Sequence, residues 1–459
     1  MPRILTFFIA PVFAALLLSA QEEEMPLNRT LSLPEVISLA LERNLTLQRS
    51  QVLVELRENE ARFQEADSRA NLNASMGAGL RYSGDGRDAL WNTGELTDSA
   101  SGNLSSSLVL YNGGGRAAAI DQARSNLEAS AREYDRSKQI VLFQSVFRYL
   151  EAVLRLKEID IQSEELAIRK ENLERIEVGY ENEIRILADV LRQRALVADS
   201  ERRLVQAQQA HETSLYILKD LLLLPPQTQV DFNLENIRWG NPGSLPEPLM
   251  EKSLNRLLQR PDLKAQQYRL DAADQGIRVA RAGGLPTLTA SANLRTSYTS
   301  ANPNASFASQ YFQNQPDLSG GIAFSLPIFD RRRTRTNLAR ALLQRRQEEI
   351  DLIDLQQAAQ TDLRRALLDF RTATAQLSFS QDQLLSSEEA LQAEQARYDA
   401  GAATLLDVNS LRSTRLDAAV AVEEAWFDLF TSRMDIAFQD GTIEYFLLSQ
   451  LETSIPELE

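Results

Sequence analysis

The stretch Leu72–Tyr82, with the sequence LNASMGAGLRY, alternates with a period of two residues. Its even positions are apolar or aromatic. Its odd positions are small or polar, and one of them is an arginine. Successive side chains of a β-strand point to opposite faces, so this alternation predicts a strand with one apolar and one polar face. Most of the surrounding sequence has helical spacing. This stretch therefore decides that the fold combines β-strands with helices.

Three further segments alternate in the same way: Asn103–Tyr111, Leu288–Leu294 and Leu318–Ile328, the first of them weakly. About ten residues with one apolar face match a transmembrane strand of an outer-membrane barrel. A half-buried strand in a soluble sheet is the alternative. The polar loops Ser83–Gly102 and Tyr298–Asp317 join the strands in pairs. This pairing and an N-terminal export signal favour the membrane interpretation.

That export signal is predicted at residues 1–20. Arg3 precedes the apolar run Ile4–Leu18, and the small residues Ser19 and Ala20 follow it. This is the pattern of a cleavable secretory signal. Beyond it no stretch approaches about 18 uninterrupted apolar residues, so we expect no transmembrane helix in the mature chain.

The composition argues against several classes of function. Cysteine is absent and the one histidine is His211, so we expect no disulfide, no metal site and no lipid-bearing cysteine. The 64 acidic side chains outnumber the 49 basic ones, and the net charge of −15 argues against a nucleic-acid partner. No nucleophile–base constellation or phosphate-cradling loop stands out, so we expect no enzyme and no cofactor.

The chain is internally duplicated. Matching residues recur 216 or 218 positions apart: Leu72, Ala74 and Ser75 as Leu288, Ala290 and Ser291, and Tyr180, Asp189 and Arg194 as Tyr398, Asp407 and Arg412. A period this long indicates one architectural half written twice rather than a solenoid of short repeats. Corresponding residues are therefore expected at pseudo-symmetric places.

Each half contains a long helical segment. Gly113–Gly179 and Arg331–Arg397 contain no proline, and apolar residues recur in them at helical spacing. About 65 residues of helix extend on the order of 100 Å, which is the scale of a coiled coil. In the first half, shorter helices predicted at 36–68 and 186–222 together match the length of one predicted at 115–180. We therefore expect two short helices to stack end to end beside one long helix in both halves.

These patterns divide the chain into two repeats. A signal peptide at 1–20 precedes a first repeat at 21–224, which has a strand pair at about 70–112 and a helical hairpin at about 113–223. A connector at 225–246 leads to a second repeat at 247–440, which has a strand pair at about 285–329 and a hairpin at about 331–438. The predicted C-terminal tail is 441–459. Four strands cannot close a barrel, because small barrels need about eight. Open sheet edges are not tolerated in lipid, so we expect the chain to oligomerise.

Several short motifs carry a family resemblance. They are Leu41, Asn44 and Leu47, then Leu110–Gly114 (LYNGG), Arg260–Leu263 (RPDL), Leu326–Arg331 (LPIFDR), Tyr398–Gly401 (YDAG) and Leu405–Val408 (LLDV). Each motif is weak alone, but their order and spacing span nearly the whole mature chain. The chain resembles the bacterial outer-membrane efflux proteins, the TolC-like trimeric channel-tunnels.

The resemblance implies a mainly α fold with membrane β-strands, in which a homotrimer forms a 12-stranded barrel in outer-membrane lipid. That barrel is continuous with a long 12-helix periplasmic α-barrel that narrows to a closed tip. The implied function is the outer-membrane exit duct of a tripartite efflux or type I secretion system, fed by a periplasmic adaptor protein and an inner-membrane pump. The alternative is a non-channel periplasmic adaptor or structural stalk, which would explain the helices but not the four strands.

The resemblance also implies that the turns Tyr180–Ile186 and Tyr398–Thr404 lie at the periplasmic tip. Asp189 and Asp407 match positions that line the throat, where a trimer would present three carboxylates at each level and favour cations. The alternative for each is an aspartate that caps a helix start.

Three further groups of candidate residues follow from the resemblance. Candidates for holding the tip closed are Tyr180, Tyr398 and Arg185, with ordinary packing as the alternative. Candidates for docking the adaptor are Glu183, Ile184, Gly401, Ala402 and Thr404. The strand–helix junctions are Asn112, Gly113, Pro327 and Asp330. Because Gly401 takes the tight-turn position that Glu183 takes in the first half, the two hairpins need not dock identically.

The run Arg331–Arg333 follows the last strand, where the resembling family more often has glycines. A solvated helix start is the plainer interpretation of this run. Contact with anionic lipid headgroups at the periplasmic face is the alternative.

Overall fold

A computed structural model describes residues 28–84, 94–232, 250–302, 304–314 and 316–452. The signal peptide predicted at 1–20 lies outside these residues, as does most of the connector predicted at 225–246. Within the described ranges, no helix combines the length and the apolarity needed to cross a bilayer.

The first half consists of short helices, two long strands and a helical hairpin. Its elements are β1 (Asn28–Leu31), α1 (Leu33–Arg43), α2 (Leu45–Ala66), β2 (Asn71–Gly84), β3 (Gly94–Asn112), α3 (Gly115–Glu181) and α4 (Leu187–Leu221). The helix predicted at 36–68 is therefore two helices. They separate at Asn44, whose backbone is extended and whose side-chain Oδ1 accepts from the backbone N–H of Thr46 at 2.9 Å, which caps α2.

The second half repeats this order. Its elements are β4 (Gln229–Phe232), α5 (Met250–Leu257), α6 (Pro261–Ala282), β5 (Thr287–Thr299), β6 (Asp317–Ser325), α7 (Arg333–Asp399), α8 (Leu405–Gln439) and α9 (Ile443–Glu452). A π-helical turn at Ser309–Asn314 lies between β5 and β6. The region predicted as a C-terminal tail thus contains the helix α9.

The four long strands form one antiparallel sheet in the order β2-β3-β5-β6. The register pairs Met76 with Gly102, Gly102 with Thr296, and Leu294 with Leu318. Strand β6 ends at Ser325, just before Pro327, which has no N–H to donate to a ladder. Within the described residues, β2 and β6 each have one edge without a partner strand.

One face of this sheet is apolar and exposed. Paired residues share a face, so the register continues the apolar side of β2 across all four strands. Met76 is 85% exposed and Leu318 is 76% exposed. A single protomer therefore presents a bare hydrophobic sheet surface.

The helical part is built on two rods and two cores. Helices α3 and α7 each contain 67 residues, and each packs along a 35-residue partner, α4 or α8. One core surrounds the fully buried Tyr149 of α3 and includes Leu31, Leu218 and Ile443. The other joins α5, α6, α7 and α8 around Leu363.

Candidate functional site

The two hairpin turns have the same backbone conformation. In the first, Ile184 N–H donates to Gly179 O at 2.8 Å and Glu183 N–H donates to Tyr180 O at 2.9 Å. In the second, the equivalent bonds to the carbonyls of Arg397 and Tyr398 are 2.7 and 3.0 Å. This double bond pattern is the Schellman motif, which satisfies carbonyl groups at a helix C-terminus.

The turns differ in the residue at the left-handed position of that motif. Gly401 has φ 75° and Glu183 has φ 63°. Glycine adopts this conformation freely, whereas a residue with a Cβ is disfavoured there by about 1–2 kcal/mol. The difference that the sequence shows between Glu183 and Gly401 is therefore one of backbone strain and surface charge, not of turn geometry.

The helix that follows each turn is capped in only one half. Thr404 begins α8 with a capping box, in which its Oγ1 accepts from Asp407 N–H at 3.3 Å and its backbone N–H donates to Asp407 Oδ2 at 3.1 Å. Hydrogen bonds from the side chain and backbone of Thr404 lower the pKa of the Asp407 carboxyl. In the first half, Ile186 precedes α4 and provides no side-chain cap.

Asp189 consequently keeps its carboxylate free of a capping bond. It is half-buried in the first turn of α4, and its ion-pair partner Arg192 lies at 4.0 Å, the limit of a salt bridge. The two aspartates that the sequence predicts as equivalent are chemically different, because the Asp407 carboxylate is engaged by Thr404 and the Asp189 carboxylate makes no capping bond.

Arg185 and Tyr398 join the two hairpins. The Arg185 guanidinium carbon lies 4.8 Å from the centre of the Tyr398 ring, which is a cation–π contact. Gly179 makes this possible, because a Cβ there would lie 2.8 Å from Arg185 Cγ. The sequence did not single out Gly179.

Asp189 belongs to the same cluster. Burial raises the pKa of the Tyr398 phenol, the nearby Arg185 opposes this effect, and the carboxylate of Asp189 reinforces it. The structure thus brings together three of the five residues proposed for the gate. Tyr180 instead stays 43% exposed on its own hairpin, at the end of α3.

The residues proposed for adaptor docking lie on the surface of the turns. Ile184 is 75% exposed, and Glu183, Gly401, Ala402 and Thr404 are also exposed. Ile184 thus leaves a large apolar side chain uncovered at the turn of the first hairpin.

A buried polar layer above the tips was not predicted. Arg169 Nε donates to Glu165 Oε1 at 2.6 Å, and an Arg169 terminal nitrogen lies 3.3 Å from Ser413 Oγ. Gln193 Nε2 donates to the Arg169 carbonyl at 3.3 Å, and Gln193 Oε1 accepts from Asn409 Nδ2 at 3.4 Å. Burial raises the pKa of Glu165, although Arg169 opposes this. The layer joins α3 and α4 to α8, so it fixes one hairpin against the other.

The sequence carried one signal for this layer. Val190 and Val197 are buried on α4, and Gln193 occupies the position between them where helical spacing calls for an apolar residue. A polar residue in an apolar stripe indicates a partner across the interface, but the sequence does not identify that partner.

The strand–helix junctions also match between the halves. Asn112 Oδ1 accepts from Arg116 N–H at 3.0 Å, and Asp330 Oδ2 accepts from Thr334 N–H at 2.8 Å, at the starts of α3 and α7. The two residues that follow Asn112 and the two that follow Asp330 have positive φ. They are Gly113 and Gly114 in the first half and Arg331 and Arg332 in the second.

Comparison with known proteins gives the family. The sequence model of the outer membrane efflux protein family matches residues 36–222 and 255–425, one segment in each half. The pyoverdine export outer membrane protein OpmQ of Pseudomonas aeruginosa is 33% identical over 374 residues, which cover 77% of this chain and 74% of that protein.

Solved structures show the same fold. The outer membrane channel CmeC of Campylobacter jejuni has a TM-score of 0.77 at 19% identity, over 92% of this chain and 90% of that one. The outer membrane protein VceC of Vibrio cholerae has a TM-score of 0.74 at 20% identity, over 89% and 96%. The predicted combination of long helices and membrane strands is confirmed, and this chain belongs to the outer membrane efflux protein family.

Proposed function

We propose that three copies of this chain form the outer-membrane exit duct of a tripartite efflux or type I secretion system. The proposal rests on one observation. A sheet with one apolar face is joined to helical hairpins on the order of 100 Å long. The sheet supplies a wall with one apolar side, and the hairpins supply a passage that reaches far from it.

The open edges of the sheet support closure by several copies of the chain, and the family resemblance implies that the copies number three. Strands β2 and β6 leave unpaired backbone groups, and such groups are not tolerated in lipid. Pairing β6 of one protomer with β2 of the next around a three-fold axis gives twelve strands from three sheets of four. The stacked short helices and the two long ones give four helical columns per protomer and twelve in the trimer.

The tip supplies the gate. The contact between Arg185 and Tyr398 holds the two hairpins of one protomer together, and Asp189 adds a carboxylate beside it. Three such carboxylates around an axis attract cations and repel anions in a narrow throat. Separation of the hairpins breaks the cation–π contact and widens the passage.

The exposed tips supply the docking surface for a periplasmic adaptor. Ile184 provides an apolar anchor, and Glu183 gives the first hairpin a negative charge that Gly401 does not give the second. An adaptor can therefore distinguish the two hairpins by charge while meeting the same turn geometry. An inner-membrane pump would deliver substrate through that adaptor.

We also propose that the duct carries out no covalent chemistry. We propose separately that it carries no lipid on a cysteine, because the given sequence contains no cysteine. In the ranges that the structure describes, no group of three or more His, Asp or Glu side chains is arranged to hold a metal ion.

Fractionation and conductance test the proposal. The expressed chain should enter the outer-membrane fraction, require detergent for extraction and migrate as a trimer. In planar bilayers the purified trimer should give small, cation-preferring steps while its tip is closed. Recovery as a water-soluble periplasmic monomer would favour the stalk alternative and overturn the proposal.

A further inference from the structure

The acidic chain concentrates unpaired arginines at the junction between the sheet and the helices. Along α7, Arg345 pairs with Asp274 at 3.1 Å and with Glu349 at 2.9 Å. Closer to the sheet, five arginines have no carboxylate within 4.0 Å among the residues that the structure describes. They are Arg331, Arg332, Arg333, Arg335 and Arg340. We call the first four of these the arginine collar.

The end of α6 lies beside the collar and adds to its charge. A Cβ at Gly284, just after α6, would lie 3.1 Å from Thr334 Cγ2 at the start of α7. Arg278 and Arg281 stand in the last turns of α6 and are likewise exposed without an ion pair in the described ranges. Asp330 is the one acidic residue between positions 326 and 343, and its carboxylate is engaged by Thr334.

The collar begins where the apolar face of the sheet ends. Leu318, Ile322 and Phe324 follow that face along β6, and all three are exposed. Beyond the strand, Ile328 is 95% exposed and Phe329 is 84% exposed. The apolar surface that ends at Phe329 is thus followed by four arginines within positions 331–335. A protein surface changes in this way where it passes from acyl chains to headgroups.

We propose that the arginine collar binds the phosphate groups of anionic phospholipids in the periplasmic leaflet of the outer membrane. Guanidinium groups bind phosphate through paired hydrogen bonds, which suits arginine better than lysine. The chain as a whole carries a net charge of −15, so the collar is an exception to its overall charge. The inference rests on the proposed function, because it needs the sheet to lie in the membrane.

The test uses a variant that removes charge and keeps the fold. R331G/R332G replaces the two arginines that have φ 54° and 67° by the residue that adopts this conformation most readily. The matched control is R49Q/R364Q, which removes two exposed arginines that have no ion pair in the described ranges and lie away from the junction. Both variants lose the same charge.

The measurement is native mass spectrometry of the trimer in neutral detergent, titrated with phosphatidylglycerol and separately with phosphatidylcholine. The parent and R49Q/R364Q should retain phosphatidylglycerol preferentially, and R331G/R332G should retain it on the order of tenfold more weakly. Equal retention by R331G/R332G would overturn the proposal.

Two further results would also overturn it. If inorganic phosphate displaces phosphatidylglycerol at equal concentration, the collar is a site for free anions. If R331G/R332G dissociates into monomers in detergent without lipid, the collar serves contacts between protomers. Conductance of the parent protein in phosphatidylcholine bilayers separates the two proposals. A parent channel that conducts but retains both lipids equally contradicts only the collar. A parent protein that never conducts contradicts the duct.

Discussion

At the scale of single residues, the two halves place backbone strain at opposite ends of their long helices. Glu183 takes a left-handed conformation where the second half has Gly401, and Arg331 and Arg332 do so where the first half has Gly113 and Gly114. Each half is therefore relaxed at one end of its long helix and strained at the other.

Replacing Glu183 by glycine should stabilise the protein by about 0.5–1 kcal/mol, because the strain relieved exceeds the added freedom of the unfolded chain. The matched control is E181G, which places glycine in the last turn of α3 and should destabilise by up to about 1 kcal/mol. Thermal melting of the purified trimer measures both changes. A lower midpoint for E183G would show that the Glu183 side chain makes a stabilising contact in the assembly.

Asp189 and Asp407 should respond differently to neutralisation. D189N should lower the ratio of potassium to chloride permeability more than D407N, because only Asp189 is free of a capping bond. D407N should instead lower the melting temperature, since a charged capping partner of α8 is lost at about 0.5–1 kcal/mol. Reversal potentials across a potassium chloride gradient measure selectivity. Equal losses of selectivity would mean that capping does not separate the two roles.

At the scale of secondary-structure elements, the two hairpins meet near the turns through the Arg185–Tyr398 contact and the buried polar layer. Farther from the turns they also meet through the ion pair of Lys157 with Glu423 and the cation–π contact of Arg136 with Phe438. The polar layer leaves Glu165 Oε2 and Asn409 Oδ1 without a partner among the described residues. A buried polar atom without a partner weakens an interface that would otherwise be rigid. Near the turns, the polar layer therefore sets the position of one hairpin against the other but holds them less firmly than a fully hydrogen-bonded layer would.

Removing the positive charge of Arg185 from its contact with the Tyr398 ring should favour the open tip. R185Q should raise the open fraction about fivefold per protomer, which corresponds to about 1 kcal/mol for such a contact. Y398F keeps the aromatic face and should leave the open fraction near that of the parent. Single-channel recordings give both values. A large effect of Y398F would assign the closing force to the phenol hydroxyl instead.

The period-two pattern of β2 predicts opposite results for neighbouring residues. M76K places a charge on the exposed apolar face and should cost about 2–4 kcal/mol near the bilayer midplane. S75K places the same charge on the other face and should insert normally. Folding into lipid vesicles, followed by protease protection, distinguishes the two. Equal insertion would show that the apolar face of the sheet does not contact lipid.

At the scale of the whole molecule, the isolated protomer is incomplete. Its sheet exposes an apolar face, and β2 and β6 each leave one edge open in the described chain. The stability of such a protomer cannot be separated from its assembly.

Dissociation of the proposed trimer and unfolding of its protomers should therefore coincide. Light scattering should report loss of the trimer at the same temperature at which circular dichroism reports loss of strand structure. A folded monomer that keeps its strand signal above the dissociation temperature would contradict the proposed closure by edge pairing.

Much of the fold follows from the sequence because its signals are local. Alternation at Leu72–Tyr82 and the proline-free run Gly113–Gly179 depend only on neighbouring residues, and the strands and helices lie where those patterns predict them. The chemical difference between Asp189 and Asp407 could be anticipated only in part. Thr404, three residues before Asp407, can be seen in the sequence as a helix cap. The effect of the Asp189 carboxylate on the pKa of Tyr398 cannot be seen there.

The sequence by itself determined the duplication, the order of strands and helices, and the residues that form the two turns, because periodicity and turn chemistry are read along the chain. Only the tertiary structure decided that Arg185 lies on Tyr398, that Gln193 contacts Asn409 across 216 positions, and that Glu183 and Arg331 adopt positive φ. These outcomes depend on how whole helices pack against one another. Packing is settled by the summed contacts of many distant residues, and no local pattern encodes that sum.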